Sequence, residues 1–537
     1  MKRLLLVFAT CALGCVTGCS GGGTSSVVPP PTTGFSNASL TGAYVFSITG
    51  STDDPIADEV DSFSRIGVFV ADGKGDIAAT GGLEDDYMYG SNNPFGITGG
   101  NYVINSDGRG TLCLLTSGGG VQYSISLSAS SSGYIADMGA TTACPSSNTT
   151  ISDTETASGS FQLQSATTLA SGTYVFDFSG ISPISGNPIS ILGDFIANGS
   201  SFSSGSYEDV NDGGTIVPKA IISGGDYLTD SNNPGTGRGT ASIGGRAFVY
   251  YVIDSQHVQL METDGDEVNV GTIAGEAVAQ QAGTPNSVTA FNSSSFVFVM
   301  GGSDTEGDPF TRGGRLTATG ANLSGILLDQ NDAGSVLTVP STGVLSAGTI
   351  TMDGDNSGRG TITFTDTVSH TGTFSFVFYL SSATQGVIQD VTTVQVGGVA
   401  TAVDIMDGSF LAQTGNPFST GSLATSYAFN WSGVDSFGEE DFVGSFTPAN
   451  ANPNGLVDYN EFGADKLFLS NPLNGVFTIG GDGTGSTGQH SAFVAGISGT
   501  PSVDINYFAY IANPNTILVM GTGTNRIIAG VLTAQTP

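Results

Sequence analysis

Phe374-Ser375-Phe376-Val377-Phe378-Tyr379-Leu380 sets three phenylalanines and a leucine at alternate positions. In an extended chain that spacing lines up all four on one face, the pattern of a strand with one buried side. Helical spacing is not sustained anywhere after the first 20 residues, so the chain reads as all-β. Turn signals interrupt the alternating runs, among them Asp72-Gly73, Asp107-Gly108, Asn198-Gly199 and Asp482-Gly483. Asx-Gly pairs tolerate positive φ and match hairpin twist, so successive strands are expected to pair antiparallel.

That strand belongs to a larger repeat. An aromatic strand opens each copy: Tyr44-Val45-Phe46, Tyr174-Val175-Phe176, Phe296-Val297-Phe298 and Tyr427-Ala428-Phe429. Gly108-Arg109-Gly110-Thr111 returns as Gly237-Arg238-Gly239-Thr240 and Gly358-Arg359-Gly360-Thr361, and has drifted to Gly483-Thr484-Gly485-Ser486 in the last copy. Each copy closes on a glycine and, five positions later, a glutamine: Gly159 and Gln164, Gly275 and Gln280, Gly408 and Gln413, Gly530 and Gln535. Landmarks kept in fixed order mark tandem duplication. The expected units are 37–165, 166–285, 286–414 and 415–537.

Alternation marks about eight strands in the first unit: 43–49, 65–71, 76–83, 101–105, 110–116, 121–128, 133–138 and 159–164. An up-and-down, calycin-like barrel is favoured over a β-sandwich, because hairpins dominate and closure removes exposed edges. The loops near 50–62 and 139–157 are long enough for a sandwich crossover. An outer-membrane barrel fits poorly, since the chain ends Ala534-Gln535-Thr536-Pro537 without a terminal aromatic and the strands are short.

The N-terminus reads as an export signal: Lys2 and Arg3, an apolar stretch from Leu4 to Leu13, then Val16-Thr17-Gly18-Cys19-Ser20. The apolar stretch is shorter than the about 20 residues a permanent span needs. Residues Val16 to Cys19 resemble the lipobox of bacterial lipoproteins. The resemblance implies cleavage before Cys19, lipid on its sulfur, and a mature chain without residues 1–18. Residues 20–36, with Pro29-Pro30-Pro31, read as a tether. Ser20 rather than Asp after the cysteine resembles the pattern that directs lipoproteins to the outer membrane. With the Gly-Arg-Gly-Thr and closing glutamine landmarks, the whole resembles Gly-rich β-repeat lipoproteins of environmental bacteria, a resemblance that implies no activity.

All 47 acidic residues follow Cys19, whereas two of the 13 basic ones leave with the signal, so the mature chain is more negative than the full-length −34. Such a surface repels nucleic-acid phosphates, and nucleic acid is set aside as a partner. At 39% hydrophobic residues the chain is too apolar for disorder. Of five cysteines, only Cys113 and Cys144 remain in the folded part, and a disulfide between them is expected in an oxidising compartment.

Each unit carries an acidic cluster: Glu84-Asp85-Asp86; Glu208-Asp209 with Asn211-Asp212; Asp329 with Asn331-Asp332; Asp458 with Asn460-Glu461. Oxygen ligands at alternate positions suit weak calcium binding at Asp85, Asp86, Asp209, Asp212, Asp329, Asp332, Asp458 and Glu461, with no other cofactor expected. The simpler reading makes them solvated turn residues. Asp353 to Phe364 begins like an EF-hand loop but ends on Phe364 where glutamate belongs, and is discarded. Arg109, Arg238 and Arg359 could form carboxylate forks for a ligand; the favoured role is structural, bridging carboxylates of their own hairpins.

For catalysis the inventory is thin. His257, His370 and His490 lie in different units, and neither a Gly-x-Ser-x-Gly elbow nor a zinc motif is present. Trp431 reads as core, while Tyr87, Tyr89 and Tyr207 are candidates for an exposed sugar-stacking surface. The expected function is therefore a non-enzymatic, lipid-anchored envelope protein presenting repeated modules for adhesion, ligand binding or scaffolding. The alternatives are an extracytoplasmic hydrolase of polysaccharide or peptide and a lipocalin-like small-ligand binder. A binding array would repeat the same exposed residues in each unit, whereas an enzyme would concentrate them in one; the sequence follows the first pattern.

Overall fold

A computed structural model describes residues 34–54, 59–141, 144, 155–264, 271–339, 345, 347–366, 372–396, 399–402, 404–415, 417–435, 438–448, 454–462, 466–479, 491–497 and 503–537. Cys19 and tether residues 20–33, like His370, His490 and the drifted Gly483–Ser486 copy, lie outside these residues, whereas Phe35, within the expected tether, is buried in the core of the first barrel.

The described chain is strand and turn, with three single-turn 3-10 segments (Asn37–Ser39, Val288–Ala290 and Thr420–Ser422). The strands form four antiparallel barrels in succession. The last is the plainest: Tyr427–Asp435, Glu439–Thr447, Asn454–Glu461, Lys466–Thr478, Ser491–Ile497, Val503–Asn513, Thr516–Gly521 and Arg526–Ala534 pair each with the next, and the eighth closes on the first. In the first barrel Thr41–Asp54 pairs with both Glu59–Asp72 and Glu155–Leu163. The second closes through Gly172–Ile181 against Ile273–Ala279, the third through Asn292–Asp304 against Asp404–Ala412. The second and third barrels each hang one further strand outside the ring, Thr215–Ile222 and Ser335–Val339.

Barrel closure, not a sandwich, follows from hairpin connections throughout; every ring strand then has two partners, and none is left as an edge. One stretch departs from the alternation reading. Residues 84–100, outside the eight marked segments, form a hairpin of Leu83–Met88 with Ser91–Ile104. Asn92, Asn93 and Pro94 disfavour strand locally, and pairing on both flanks overrides that preference.

Alternation now acquires two meanings. The aromatic residues of each opening strand point inward: Tyr44 and Phe46, Tyr174 and Phe176, Phe296 and Phe298, Tyr427 and Phe429 all belong to the barrel cores. Phe429 stacks on Trp431 at 3.9 Å between ring centroids, so the single tryptophan is core. The residues between the aromatics, Val45, Val175, Val297 and Ala428, point outward and are buried too, because they pack against the next barrel. Cys113 and Cys144 are joined, tying the strand Arg109–Thr116 to the chain beyond Ser132–Thr141.

Candidate functional site

The repeated polar residues meet at the seams between barrels. The Nε and Nη2 of Arg238 each donate to one oxygen of Asp85 in the preceding barrel, both at 2.7 Å, and the Tyr251 hydroxyl donates to the same carboxylate at 2.7 Å. One barrel on, Arg359 and Tyr379 hold Asp209 with the same three distances. Arg109 of the first barrel reaches Asp458 of the fourth, with Nη1 3.2 Å from Oδ2. At the remaining seam the Tyr510 hydroxyl donates to Asp329 at 2.6 Å, and Thr338 reaches the same carboxylate. Paired forks of this kind are the strong form of the ion pair. They sit buried, where removing one partner strands the other.

The closing glutamines run the same circuit. Gln164 Nε2 donates to Val252 O at 2.7 Å, Gln280 to Leu380 O at 3.1 Å, Gln413 to Ile511 O at 2.9 Å and Gln535 to Leu127 O at 2.9 Å. The next backbone N–H in each case donates one residue further along: Ser165 to Ile253, Gln281 to Ser381, Thr414 to Ala512 and Thr536 to Ser128. The fourth barrel thus grips the first as each earlier barrel grips its successor, and the units close into a ring. The first glycine of Gly-Arg-Gly-Thr exists for this contact. Gly237 and Gly358 have φ of +74° and +76°, and a Cβ would lie 2.4 and 2.7 Å from the glutamine Nε2 of the preceding barrel.

Several expectations change accordingly. The acidic clusters are not solvated turn residues: Asp85, Asp209, Asp329 and Asp458 lie within strands, buried against the neighbouring barrel. The arginines do not confine themselves to their own hairpins, although Arg109, Arg238 and Arg359 each also keep a local partner in Asp107, Asp230 or Asp353. Asn211, Asn331 and Asn460 donate to backbone carbonyls of the next barrel, such as Asp404 O at 2.8 Å from Asn211. Tyr87, expected on the surface, holds the corresponding position in the first barrel and is buried with Val249, Tyr251 and Met261. Tyr89 and Tyr207 are half-buried, the latter beneath the Lys219 ammonium. Of the remaining calcium candidates, Asp86 contacts Arg65, Asp212 accepts from Ser185, Glu461 faces Arg526 and Asp332 is exposed. The repeated residues are therefore not a repeated exposed surface.

Alternation did not reveal a second set of charged groups, since its arginines lie one each in the first, third and fourth barrels without a motif common to the three. Arg65 lies between Asp86 and Asp137, Arg312 between Asp390 and Asp404, and Arg526 between Asp435 and Glu440. Burial pushes Glu440 up to about 8, with Arg526 pulling the other way. The Asp435, Glu440 and Glu461 carboxylates converge closely enough for a metal, but the Arg526 guanidinium occupies that cluster. Asp304, Glu306 and Asp308 also converge, in a hairpin turn. His257 Nδ1 sits 3.0 Å from both oxygens of Asp254 within one turn, and is buried.

The class that fold and seams define is a ring of four filled β barrels, joined by an arginine, tyrosine, aspartate and glutamine code. No protein-family model and no curated protein matches the chain. Among solved structures it is similar to a tryptophan-to-alanine mutant of the vaccine antigen transferrin binding protein B from Haemophilus parasuis Hp5. The identity is 10%, the TM-score 0.18, and the match covers 75% of this chain and 82% of that one. A superposition at that score aligns strands and carries no function across.

Proposed function

We propose that this protein is a non-enzymatic lipoprotein of the bacterial envelope, anchored through Cys19 at the outer membrane, that presents its ring as a rigid platform for adhesion, ligand binding or scaffolding. One observation carries the reading. The polar residues repeated from unit to unit hold neighbours together, and the barrel interiors are filled with aromatic side chains. Loops and the exposed strand residues, Ile221 among them, remain to face a partner; loops on a rigid scaffold are where recognition usually sits. Filled interiors weigh against a lipocalin-like ligand cavity. His257, locked to Asp254 in a turn, offers no nucleophile relay.

Metabolic labelling with a fatty acid tests the anchor: wild-type protein takes up label and fractionates with membranes, and Cys19→Ser does neither. For the platform, attachment of cells with and without the protein is compared on polysaccharide and protein surfaces, alongside hydrolysis assays of the purified mature chain. Saturable binding without turnover supports the reading. Turnover abolished by a substitution within one barrel would replace it with a hydrolase.

A further inference from the structure

The seam between the second and third barrels differs from the others at the end away from its arginine. Asp177, in strand Gly172–Ile181, and Asp407, in strand Asp404–Ala412, are buried and hydrogen-bonded to each other across the seam. Ser179 and Ser190 also bond Asp407. Gln389, beside Asp407 in register, gives its amide N–H groups to Ser190 O and Oγ, both at 2.8 Å. Three buried oxygens here have no hydrogen-bond partner among the described residues: Asp177 Oδ1, Gln389 Oε1 and Ser303 Oγ. Neither aspartate has a lysine, arginine or histidine within ion-pair distance among the described residues.

A cleft opens at this place, lined by Ser179, Pro188, Ser303, Ile405 and Asp407 among others. The internal repeat shows why it is open. At the seam between the fourth and first barrels Glu439 stands at the register position of Pro188, and its carboxylate accepts from Ser51, the counterpart of Ser303. With proline in place of glutamate, the space stays unfilled and the Ser303 hydroxyl, 1% exposed, is left facing it.

We propose that this cleft is a binding site for a hard divalent cation of the calcium class, held at the cleft wall by Asp407, Ser179 and Ser303, with Asp177 and Gln389, which stand next to Asp407 behind that wall, as further oxygen donors. Calcium takes six to eight oxygens in flexible geometry and completes its shell with water, which an open cleft admits. The hydrogen bond between the two carboxyl groups needs a proton on one of them; a divalent cation displaces that proton and supplies the counter-charge that two adjacent buried carboxylates require. The donor set contains neither nitrogen nor sulfur, which disfavours zinc and copper. Bound there, the ion staples the second barrel to the third. The site is separate from the acidic clusters, whose carboxylates already hold arginine and tyrosine.

The test is calorimetric titration of calcium chloride into chelator-stripped mature protein, with thermal melts in parallel. The expected result is one saturable site and an upward thermal shift. Asp407→Asn and Asp177→Asn are expected to weaken binding at least tenfold, while Asp308→Asn, in the exposed acidic turn, leaves it unchanged. Ser303→Ala removes only an unpartnered hydroxyl, so it reports on the site even where an aspartate variant folds poorly; a loss of threefold or more is expected. No heat and no thermal shift at about 10 mM calcium, above the range of extracellular calcium modules, overturns the proposal. So does binding of wild-type strength in both Asp407→Asn and Ser303→Ala.

Discussion

Asp209 accepts three hydrogen bonds from the third barrel, two from Arg359 and one from Tyr379, while belonging to the second. Removing one partner of a buried pair costs about 3–5 kcal/mol, because the other charge is left unpaired. Asp209→Ala is therefore expected to weaken that seam by about this amount, read as faster hydrogen exchange in Arg359–Asp366 and Ser201–Asp212 with little change in the other barrels. Arg359→Lys keeps the charge but loses the fork, and falls between wild type and Asp209→Ala. Gly358 makes the complementary case. A side chain there meets Leu380 O at 2.4 Å with φ at +76°. Gly358→Ala is expected to lower stability by about 1–3 kcal/mol, whereas Gly421→Ala, whose nearest contact would be 3.8 Å, leaves the melting temperature in place.

At the scale of elements, each closing strand completes a barrel and also sends its glutamine into the next one. Fold and assembly are thus carried by the same segment. The first barrel has an extra tie in Cys113–Cys144, separated by 31 residues. Closing a loop of that length restricts the unfolded chain by about 2–4 kcal/mol. The paired Cys113→Ser, Cys144→Ser variant is expected to melt earlier than wild type, and a reducing agent should lower the wild-type transition toward it without affecting the variant. The outlying strand Thr215–Ile222 shows the opposite problem, an edge with no strand partner among the described residues and with Ile221 71% exposed. Pro218 and Lys219, the latter at φ +47°, break its line, a common defence against edge-to-edge pairing.

For the molecule as a whole, the ring closes without a covalent link between its ends. The Phe35 ring and Gln535 Nε2 both abut Gly108, so the start and end of the folded chain lie at one seam. A circular permutant joining these ends and opening the chain near 281–286 is expected to keep the four-barrel ring, checked by small-angle scattering and the thermal transition; a permutant of extended shape would contradict closure. This seam also carries acid. Asp441 accepts from Ser158 and Thr156, and burial pushes it up to about 7; burial and the nearby Asp441 hold Glu439 well above the usual carboxylate range. A raised pKa means that folding favours the protonated form. The stability it contributes is present at acidic pH and lost as pH climbs through about 7. Hydrogen exchange in Glu155–Leu163 and Glu439–Thr447, after division by the intrinsic amide rate at each pH, is expected to quicken between about pH 4 and 7, and Asp441→Asn to flatten that dependence.

The all-β class and the fourfold repeat were legible in the sequence because both are local. Alternation reports the two faces of a strand, as in Phe374 to Leu380, and a duplicated motif stays in order along the chain. The roles of those motifs were not legible. A repeat shows that Asp85, Asp209, Asp329 and Asp458 correspond to one another, but each finds its partner in a different copy, 153 residues away for Asp85 and Arg238. Read one unit at a time, acid beside Asn and Gly resembles a solvated turn, and Arg109 resembles a hairpin clamp. Only the tertiary structure decided that these residues are buried, since burial here comes from a neighbouring barrel pressing on the outer face. It also decided that four barrels close into a ring, because closure depends on the angle between successive units, which no single unit's alternation records.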